Sequence, residues 1–339
     1  MEASFGNNHR FDPIHNWYQS FLSYESDWST RDASSQNVVL WIGNGFWSVK
    51  KGKHLFDQEP NKEKFNILID FESRNNHIAW EDKFDRILTL DADVAKWRND
   101  LLGQKKYIYV YFPTSDYFFD DPWGPLDKKY DIAICGTPEG KYLTKHMFAP
   151  IVGYSHIWVG NGQYPPGLKR ARILDCYTEK MRLVSESRIT VCWNAVSFTT
   201  DTIEQVFNDH SLLNNPRFRE IAPLSSQHPD FNVQFIADNK DYRKPQLKTR
   251  AFEAAAGKSL ILTCFDEFRH IEEWFIEGED FVYFQPGELH NKIKDILDNF
   301  DSYKSIIENA HQKAKKLYKT SNFWQDFIEK EYYEQCGEV

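Results

Sequence analysis

Two short apolar segments of the chain are each followed at once by a turn that contains glycine. The first is residues 37–42, which precede Gly43-Asn44-Gly45, and the second is residues 130–135, which precede the polar turn 136–141. Apolar runs of this length are typical of strands covered on both faces of a parallel sheet. A glycine at the end of such a strand lets the backbone approach a ligand closely, although ordinary tight turns use it too. The repetition therefore predicts two Rossmann-like layers.

Strands and helices are predicted to alternate along both halves, which indicates an α/β protein. In the first half, apolar runs at 65–71, 86–90 and 107–112 accompany a helix at 92–102; in the second, strands are predicted at 156–159, 189–193, 231–237 and 281–284, with helices at 177–186, at 268–277 and in three closing segments. The 339 residues are enough for two cores. The predicted domains are a lead-in at 1–36, an N-terminal Rossmann-like domain at 37–126, a C-terminal Rossmann-like domain at 127–320 and a C-terminal helix at 321–339. The aperiodic segment 115–129 is the predicted linker.

The charge and the cysteines exclude several classes of protein. A formal net charge of -9 would repel nucleic acid and anionic membranes, so nucleic acid is not an expected partner. No long apolar run and no signal-peptide pattern is found, and the protein is expected to be cytoplasmic, without a transmembrane segment. The five cysteines lack CxxC spacing, which favours neither a disulfide framework nor a zinc site. Cys135, Cys192 and Cys264 follow or end apolar runs and are expected to be small core residues.

Residues 248–262 contain the main candidate for a binding site. They read Lys-Thr-Arg-Ala-Phe-Glu-Ala-Ala-Ala-Gly-Lys-Ser-Leu-Ile-Leu, which predicts a short helix, a glycine stop and a buried strand. On that helix Arg250, Glu253 and Gly257 share one face, beside small residues that let another element approach closely. A guanidinium forks onto phosphate oxygens and a carboxylate accepts from paired hydroxyls, so the face suits a phosphorylated sugar or a nucleotide. The alternative is an i,i+3 surface ion pair, worth a few tenths of a kcal/mol.

Two carboxylates and one histidine are further candidates for proton transfer. Asp70 and Asp91 stand near the predicted carboxyl ends of their strands, where open α/β sheets bind ligands. Each is either a general base or a helix cap or turn residue. His156 begins a predicted strand and fits a buried, hydrogen-bonded histidine better than a base. Neither half contains GxGxxG, so a nicotinamide oxidoreductase is disfavoured and sugar-nucleotide chemistry is the leading expectation.

Several of these segments together resemble a known family. Residues 248–257, 271–275, 281–284 and 287–289, with 130–136, are similar to the C-terminal domain of GT-B glycosyltransferases. The likeness is to the group-1-like branch that includes spore-maturation glycosyltransferases and related viral enzymes. It covers roughly residues 97–330 and is strongest at roughly 246–297. The resemblance implies two Rossmann-like domains facing a central cleft, with the closing helices crossing back to the N-terminal domain.

The resemblance also implies a donor site in the C-terminal domain. A nucleotide-diphosphate sugar is the implied donor, with no metal and no other cofactor, and an unidentified hydroxyl acceptor approaches from the N-terminal domain. Arg250 stands where the family has a basic residue on the donor phosphates, and Glu253 where it has the ribose-binding glutamate. The other implied donor-binding residues are Gly136 and Thr137, as N–H donors to the diphosphate, Lys141 and Lys248, as cations beside the leaving group, and Glu272, near the donor sugar. For Glu272 a solvated helix carboxylate is the alternative, and for Gly136 and Thr137 an ordinary turn.

One position departs from the family pattern. Many retaining GT-B enzymes carry a second glutamate eight positions before the ribose-binding one, and here that position is Pro245. Retention or inversion at the transferred sugar therefore stays open, as does whether a hexose or a pentose moves. Two other functions also stay open: a catalytically inactive member of the fold that acts as a binding or structural protein, and a nucleotide-sugar epimerase.

Overall fold

The computed structural model describes most of the second half of the chain and the sheet of the first half. The described residues are 2–4, 38–42, 60, 62–70, 81–90, 92–136, 144–159, 167–171, 177–199, 234–236, 241–245, 247–266 and 269–336. Within them, no helix has both the length and the apolarity needed to cross a membrane.

The first half forms a five-stranded sheet in which every neighbouring pair is parallel. Its strands follow one another in chain order: β1 (Glu2–Ser4), β2 (Val38–Ile42), β3 (Phe65–Asp70), β4 (Arg86–Thr89) and β5 (Tyr107–Tyr109). Ile67, Leu68 and Leu88 are fully buried, as expected for strands covered on both faces. Helix α1 (Ala92–Leu102) connects β4 to β5. The edge strand β1 comes from the predicted lead-in, where no strand was expected.

The second half forms another parallel sheet of five strands, whose order differs from chain order. The strands are β6 (Tyr130–Cys135), β7 (His156–Val159), β8 (Ser187–Cys192), β12 (Leu260–Cys264) and β13 (Val282–Phe284), arranged β13-β12-β8-β6-β7. Between β8 and β12 the chain forms a separate antiparallel sheet of β9 (Ala195–Thr199), β10 (Gln234–Ile236) and β11 (Asp241–Pro245), in the order β10-β11-β9. The strand predicted at 231–237 is confirmed by β10. Two parallel sheets with connecting helices confirm the α/β class.

Six further helices follow β7 in the part of the chain that the structure describes. They are α2 (Tyr177–Ser185), α3 (Thr249–Ala256), α4 (Leu289–Asp298), α5 (Lys304–Leu317), α6 (Thr320–Phe323) and α7 (Lys330–Cys336), with a π-helical turn at Trp324–Glu329 between the last two. The helix predicted at 268–277 is wrong: in the described residues 269–277 the regular helical structure is a single 3-10 turn, His270–Glu273. Arg269 has a φ of 53°, which a right-handed helix cannot contain, and Gly278 has a φ of 78°. The chain therefore turns at both ends of this short stretch.

The closing helices pack on the N-terminal sheet. Glu331 of α7 is 2% exposed and accepts hydrogen bonds from Arg86 Nε at 2.9 Å and from Lys105 Nζ at 2.5 Å. Arg86 begins β4, and Lys105 lies just before β5. Next to this ion pair, the ring of Tyr332 lies 6.0 Å from that of Phe65 in β3. The predicted return of the C-terminus to the N-terminal sheet, part of the GT-B arrangement, is confirmed by these contacts.

An aromatic cluster joins the exit of β5 to the second half. The ring of Tyr111 lies 5.1 Å from that of Tyr318, 5.6 Å from that of Trp274 and 6.2 Å from that of Phe252 in α3. Trp274 also donates its indole N–H to the hydroxyl of Tyr109 at 2.8 Å. These contacts hold α3 against the exit of the N-terminal sheet. The neighbouring segment predicted to be a linker is packed rather than free, because Phe118 and Phe119 are buried.

Candidate nucleotide-sugar site

The strand order of the C-terminal sheet creates a crevice between β6 and β8. The chain moves from β6 outward to β7 on one side and then places β8 on the other side of β6. The connections that leave β6 and β8 therefore run in opposite directions from adjacent strands. In open α/β sheets, ligands bind outside the carboxyl ends of the strands at such a switch point. Here those ends are Cys135 and Cys192.

Arg250 bridges the two strand ends. Its Nε donates to the carbonyl of Cys135 at 2.5 Å, and its Nη1 donates to the carbonyl of Trp193, directly after β8, at 2.9 Å. The guanidinium carbon also lies 3.6 Å from the centroid of the Trp193 ring, a close cation–π contact. A lysine could not make the same pair of contacts, because it lacks the planar fork of donors. A fixed positive charge is thus held at the mouth of the crevice.

Gly136 provides the space that this arginine occupies. It follows β6 directly and has a φ of 119°, and a Cβ atom on it would lie 2.4 Å from Nη2 of Arg250. Its own N–H donates to the carbonyl of Val159 at 2.9 Å, and its carbonyl accepts from the indole of Trp158 at 2.8 Å. The turn is therefore tied to β7. What the structure shows for Gly136 is close approach of a cation, with its N–H already engaged within the protein.

Glu253 lies one turn further along α3 and is almost completely buried. It is 1% exposed, and its Oε1 accepts hydrogen bonds from the hydroxyl of Tyr177 at 3.1 Å and from Nζ of Lys180 at 2.6 Å. Its Oε2 is buried and has no hydrogen-bond partner in the described part of the chain. The alternative of a surface ion pair with Arg250 is wrong, since Glu253 is in the core and pairs with α2. A buried carboxylate oxygen without a donor is costly and is suited to a ligand hydroxyl.

Small residues let α2 come close enough to reach this carboxylate. Ala251, Ala254 and Ala255 on α3 are fully buried. A Cβ atom on Gly257, at the end of α3, would lie 2.9 Å from Cγ1 of Val184 on α2. The predicted close approach of another element to this helix is confirmed, and the element is α2, which carries Tyr177 and Lys180.

The residues before α3 are tied to the end of β8 as well. The backbone N–H of Lys248 faces Oδ1 of Asn194 at 3.4 Å, and Nδ2 of Asn194 donates to the hydroxyl of Thr263 in β12 at 3.3 Å. Asn194 is 3% exposed, whereas Lys248 is only partly buried. Lys248 thus precedes α3 beside the same crevice as Arg250.

Glu272 lies elsewhere, in a cluster of its own. It accepts a hydrogen bond from Nε of Arg269 at 2.5 Å, and it lies near Tyr283 of β13. Burial, and then the negative charge of Glu272, raise the pKa of the Tyr283 hydroxyl. The helix carboxylate expected from the sequence is part of a 3-10 turn, and its described contacts are with Arg269 and Tyr283 rather than with Arg250 or Glu253.

The remaining predicted site residues are described only in part or not at all. Asp70 is the last residue of β3, paired in register with Thr89 of β4, so its backbone is at the carboxyl end of the N-terminal sheet. Asp91, Thr137 and Lys141 lie outside the described residues. His156 is a satisfied buried histidine as expected, with Nε2 accepting from the backbone N–H of Lys169 at 2.8 Å.

The cysteines under Arg250 are core residues, as predicted. Cys135 and Cys192 are 1% or less exposed, and burial raises the pKa of the Cys135 thiol to about 11. Such a thiol is neutral at physiological pH and is no nucleophile. In the described ranges, no group of three or more His, Cys, Asp or Glu side chains is arranged to hold a metal ion.

Sequence reasoning missed four residues of this site: Tyr177, Lys180, Trp193 and Asn194. Trp193 ends a predicted strand and Asn194 directly follows it, and the rule that ligands bind at carboxyl ends of parallel strands could have singled them out. Nothing in the local pattern of α2 marks Tyr177 or Lys180.

Comparison with known proteins identifies the family. Residues 158–329, slightly more than half of the chain, match the model of a family described as glycosyl transferase-like. The chain belongs to this family. The match includes α2, α3 and the strand β8, which Trp193 directly follows, whereas β6 and Gly136 precede it. A search of curated proteins found no significant match.

Solved structures with a similar fold are distant in sequence. TarM of S. aureus has a TM-score of 0.47 and 9% identity, over 86% of this chain and 54% of TarM, so the chain spans about half the length of that protein. A glycosyltransferase from Rickettsia africae has a TM-score of 0.49 and 10% identity, over 89% of this chain and 78% of its own. HepE of Anabaena, solved with UDP-glucose, has a TM-score of 0.47 and 9% identity, over 89% of this chain and 79% of HepE.

Proposed function

We propose that the chain transfers a sugar from a nucleotide-diphosphate donor to a hydroxyl acceptor, with the donor bound at the carboxyl ends of β6 and β8. The observation that carries the proposal is Oε2 of Glu253, which is buried on the helix one turn after Arg250 and has no hydrogen-bond partner among the described residues. An acceptor-only oxygen suits a ribose hydroxyl, and a fixed cation nearby suits a diphosphate. Membership of the glycosyl transferase-like family supports the same chemistry.

The cations of the site have a role in the reaction itself. When the bond between the anomeric carbon and the phosphate oxygen breaks, negative charge develops on the departing nucleoside diphosphate. Arg250 is pre-positioned by its two carbonyl contacts, so it stabilises that charge without further reorganisation. Lys248, Thr137 and Lys141 are proposed to complete the phosphate site, with no metal ion required. Activity retained in excess EDTA is the expected result.

The N-terminal sheet is proposed to bind the acceptor. In this proposal residues 37–126 form the acceptor domain, 127–320 the donor domain and 321–339 the segment that packs back. Asp70 and Asp91 are the candidates for the base that removes the proton of the acceptor hydroxyl. Gly136 and Glu272 are proposed to contribute to the donor side, Gly136 through the space it leaves for Arg250 and Glu272 at the sugar.

A thermal-shift screen of nucleotide sugars tests the function. The protein is heated with UDP-, GDP-, ADP- and CDP-linked sugars and with the free nucleoside diphosphates. The proposal predicts that one base series raises the melting temperature, because a ligand bound only by the folded state stabilises it. If none of these ligands shifts the melting temperature, the proposal is overturned. For the donor that binds, NMR of the products separates the activities: a transferase releases the nucleoside diphosphate, an epimerase leaves an isomerised sugar attached to it, and an inactive binder leaves the donor intact.

A further inference from the structure

A pair of residues on α2 determines how Glu253 is presented. Oε1 of Glu253 already accepts two hydrogen bonds, from Tyr177 and from Lys180, and Oε2 accepts none in the described chain. The carboxylate is 2% exposed and cannot turn into solvent. The contacts with α2 therefore fix its rotation, and within the described residues Oε2 is the carboxylate oxygen that has no donor.

Lys180 has the properties of a positioning residue. Its Nζ lies 2.6 Å from Oε1 and 5.4 Å from the centroid of the Tyr177 ring, and 23% of its side chain is exposed. An ammonium at this distance supplies an opposite charge that offsets the cost of burying a carboxylate. An ionised carboxylate is acceptor-only, so Oε2 can receive a hydroxyl hydrogen but offers no hydrogen in return.

We propose that Lys180 and Tyr177 are positioning residues that lock Glu253 with Oε2 toward the ligand, which makes the site selective for ribonucleoside diphosphates over their deoxyribose forms. The inference rests on the proposed function and goes further, because it assigns the selectivity to two residues on a different helix. A ligand that lacks the hydroxyl leaves Oε2 buried without a donor. A site built in this way rejects the analogue that lacks the hydrogen-bonding group.

The test measures a ratio of affinities. Dissociation constants for UDP, GDP, ADP and CDP and for their 2′-deoxy and 3′-deoxy forms are measured by calorimetry on the full chain. For the base that binds, the wild type is expected to prefer the ribose form over at least one deoxy form by roughly tenfold or more, as for a hydrogen bond to a charged group. Lys180→Met, which keeps the aliphatic stem, and Tyr177→Phe, which removes only the hydroxyl, are both expected to reduce this ratio, Lys180→Met to near unity.

Matched controls separate positioning from stability. Lys129→Met removes a lysine that lies 2.7 Å from another buried carboxylate, Glu186, at the amino end of β6, away from the crevice. It is expected to leave the ratio unchanged, whatever its effect on the melting temperature. Tyr177→Phe leaves the ion pair between Lys180 and Glu253 in place, so it keeps the test valid if the lysine variant does not fold. Its ratio of affinities is expected to fall below that of the wild type.

Three other outcomes would overturn the positioning role, the proposed function or both. A wild type that binds deoxy and ribose forms equally, or Lys180→Met and Tyr177→Phe variants that keep the wild-type ratio, overturns the positioning role. If Glu253→Gln abolishes the preference while Lys180→Met and Tyr177→Phe keep it, the proposed function stands and the positioning role of α2 is overturned. If none of the nucleoside diphosphates binds, both are overturned.

Discussion

A Cβ atom at Gly136 would lie 2.4 Å from Nη2 of Arg250, so the guanidinium can keep this position only because residue 136 is a glycine. The guanidinium in turn bridges the carbonyls of Cys135 and Trp193. A substitution at Gly136 is therefore expected to move the guanidinium of Arg250, the positive charge of the proposed donor site.

Gly136→Ala is expected to displace Arg250 and weaken nucleotide binding. The φ of 119° is strained for any residue with a Cβ, and the clash adds to the strain, so the free energy of unfolding should fall by about 2–3 kcal/mol. Gly124→Ala is the matched control, because Gly124 also has a positive φ, 67°, but a Cβ there meets nothing within 4 Å. Only the first variant should lose nucleotide affinity. Equal nucleotide affinities in the two variants would mean that the position of Arg250 does not depend on Gly136.

Glu331→Gln is expected to loosen the closing helix from the N-terminal sheet. The buried carboxylate accepts from both Arg86 and Lys105, and weakening hydrogen bonds to a charged group costs about 1.5–3 kcal/mol. Glu334→Gln is the comparison, since Glu334 is half exposed and 3.9 Å from Lys105, and a surface pair of this kind is worth less than about 1 kcal/mol. Denaturant unfolding of the full chain measures both. Similar small losses in the free energy of unfolding of the two variants would show that this ion pair does not hold α7 on the sheet.

His311 is expected to make stability depend on pH. It is 2% exposed, and burial lowers its pKa, with Lys258 adding to the effect and the hydrogen bond to the Ala255 carbonyl opposing it. The unfolded chain therefore takes up a proton before the folded chain does as the pH falls. The contribution of His311 to the free energy of unfolding should be fully present above the ordinary histidine pKa and should be lost as the pH drops below about 6.5.

The measurement compares melting temperatures of wild type and His311→Gln between about pH 5 and 7.5. Because the other histidines are common to both proteins, the difference between the curves isolates His311. The wild type should lose more stability toward low pH than the variant. Parallel curves would show that protonation of His311 does not oppose folding.

The sheets and the donor helix could be predicted from sequence because their signals are local. The strands β2, β3 and β6 are apolar runs, and Arg250 and Glu253 are neighbours on one short helix, so their spacing already placed them on one face. The helix expected at 268–277 failed for a local reason that composition does not show, the left-handed conformation of Arg269.

The partners of the site could not be predicted, because they come from distant parts of the chain. Lys180 and Tyr177 precede Glu253 by 73 and 76 positions, and Trp193 precedes Arg250 by 57. Whether Glu253 is a surface residue or a buried one depends on the packing of α2, which no spacing within 248–262 encodes. The alternative of a surface ion pair was open for that reason until the fold was known.

Calorimetric titration of the wild type and of Glu253→Gln with UDP, GDP, ADP and CDP tests the central claim most directly. The account predicts that one of these binds the wild type at a single site and that Glu253→Gln, which still accepts from Lys180 but no longer offers a charged Oε2, weakens it by roughly tenfold or more. Binding of none of the four, or equal affinity in the two proteins, would contradict the assignment of the crevice between β6 and β8 as a nucleotide-sugar site.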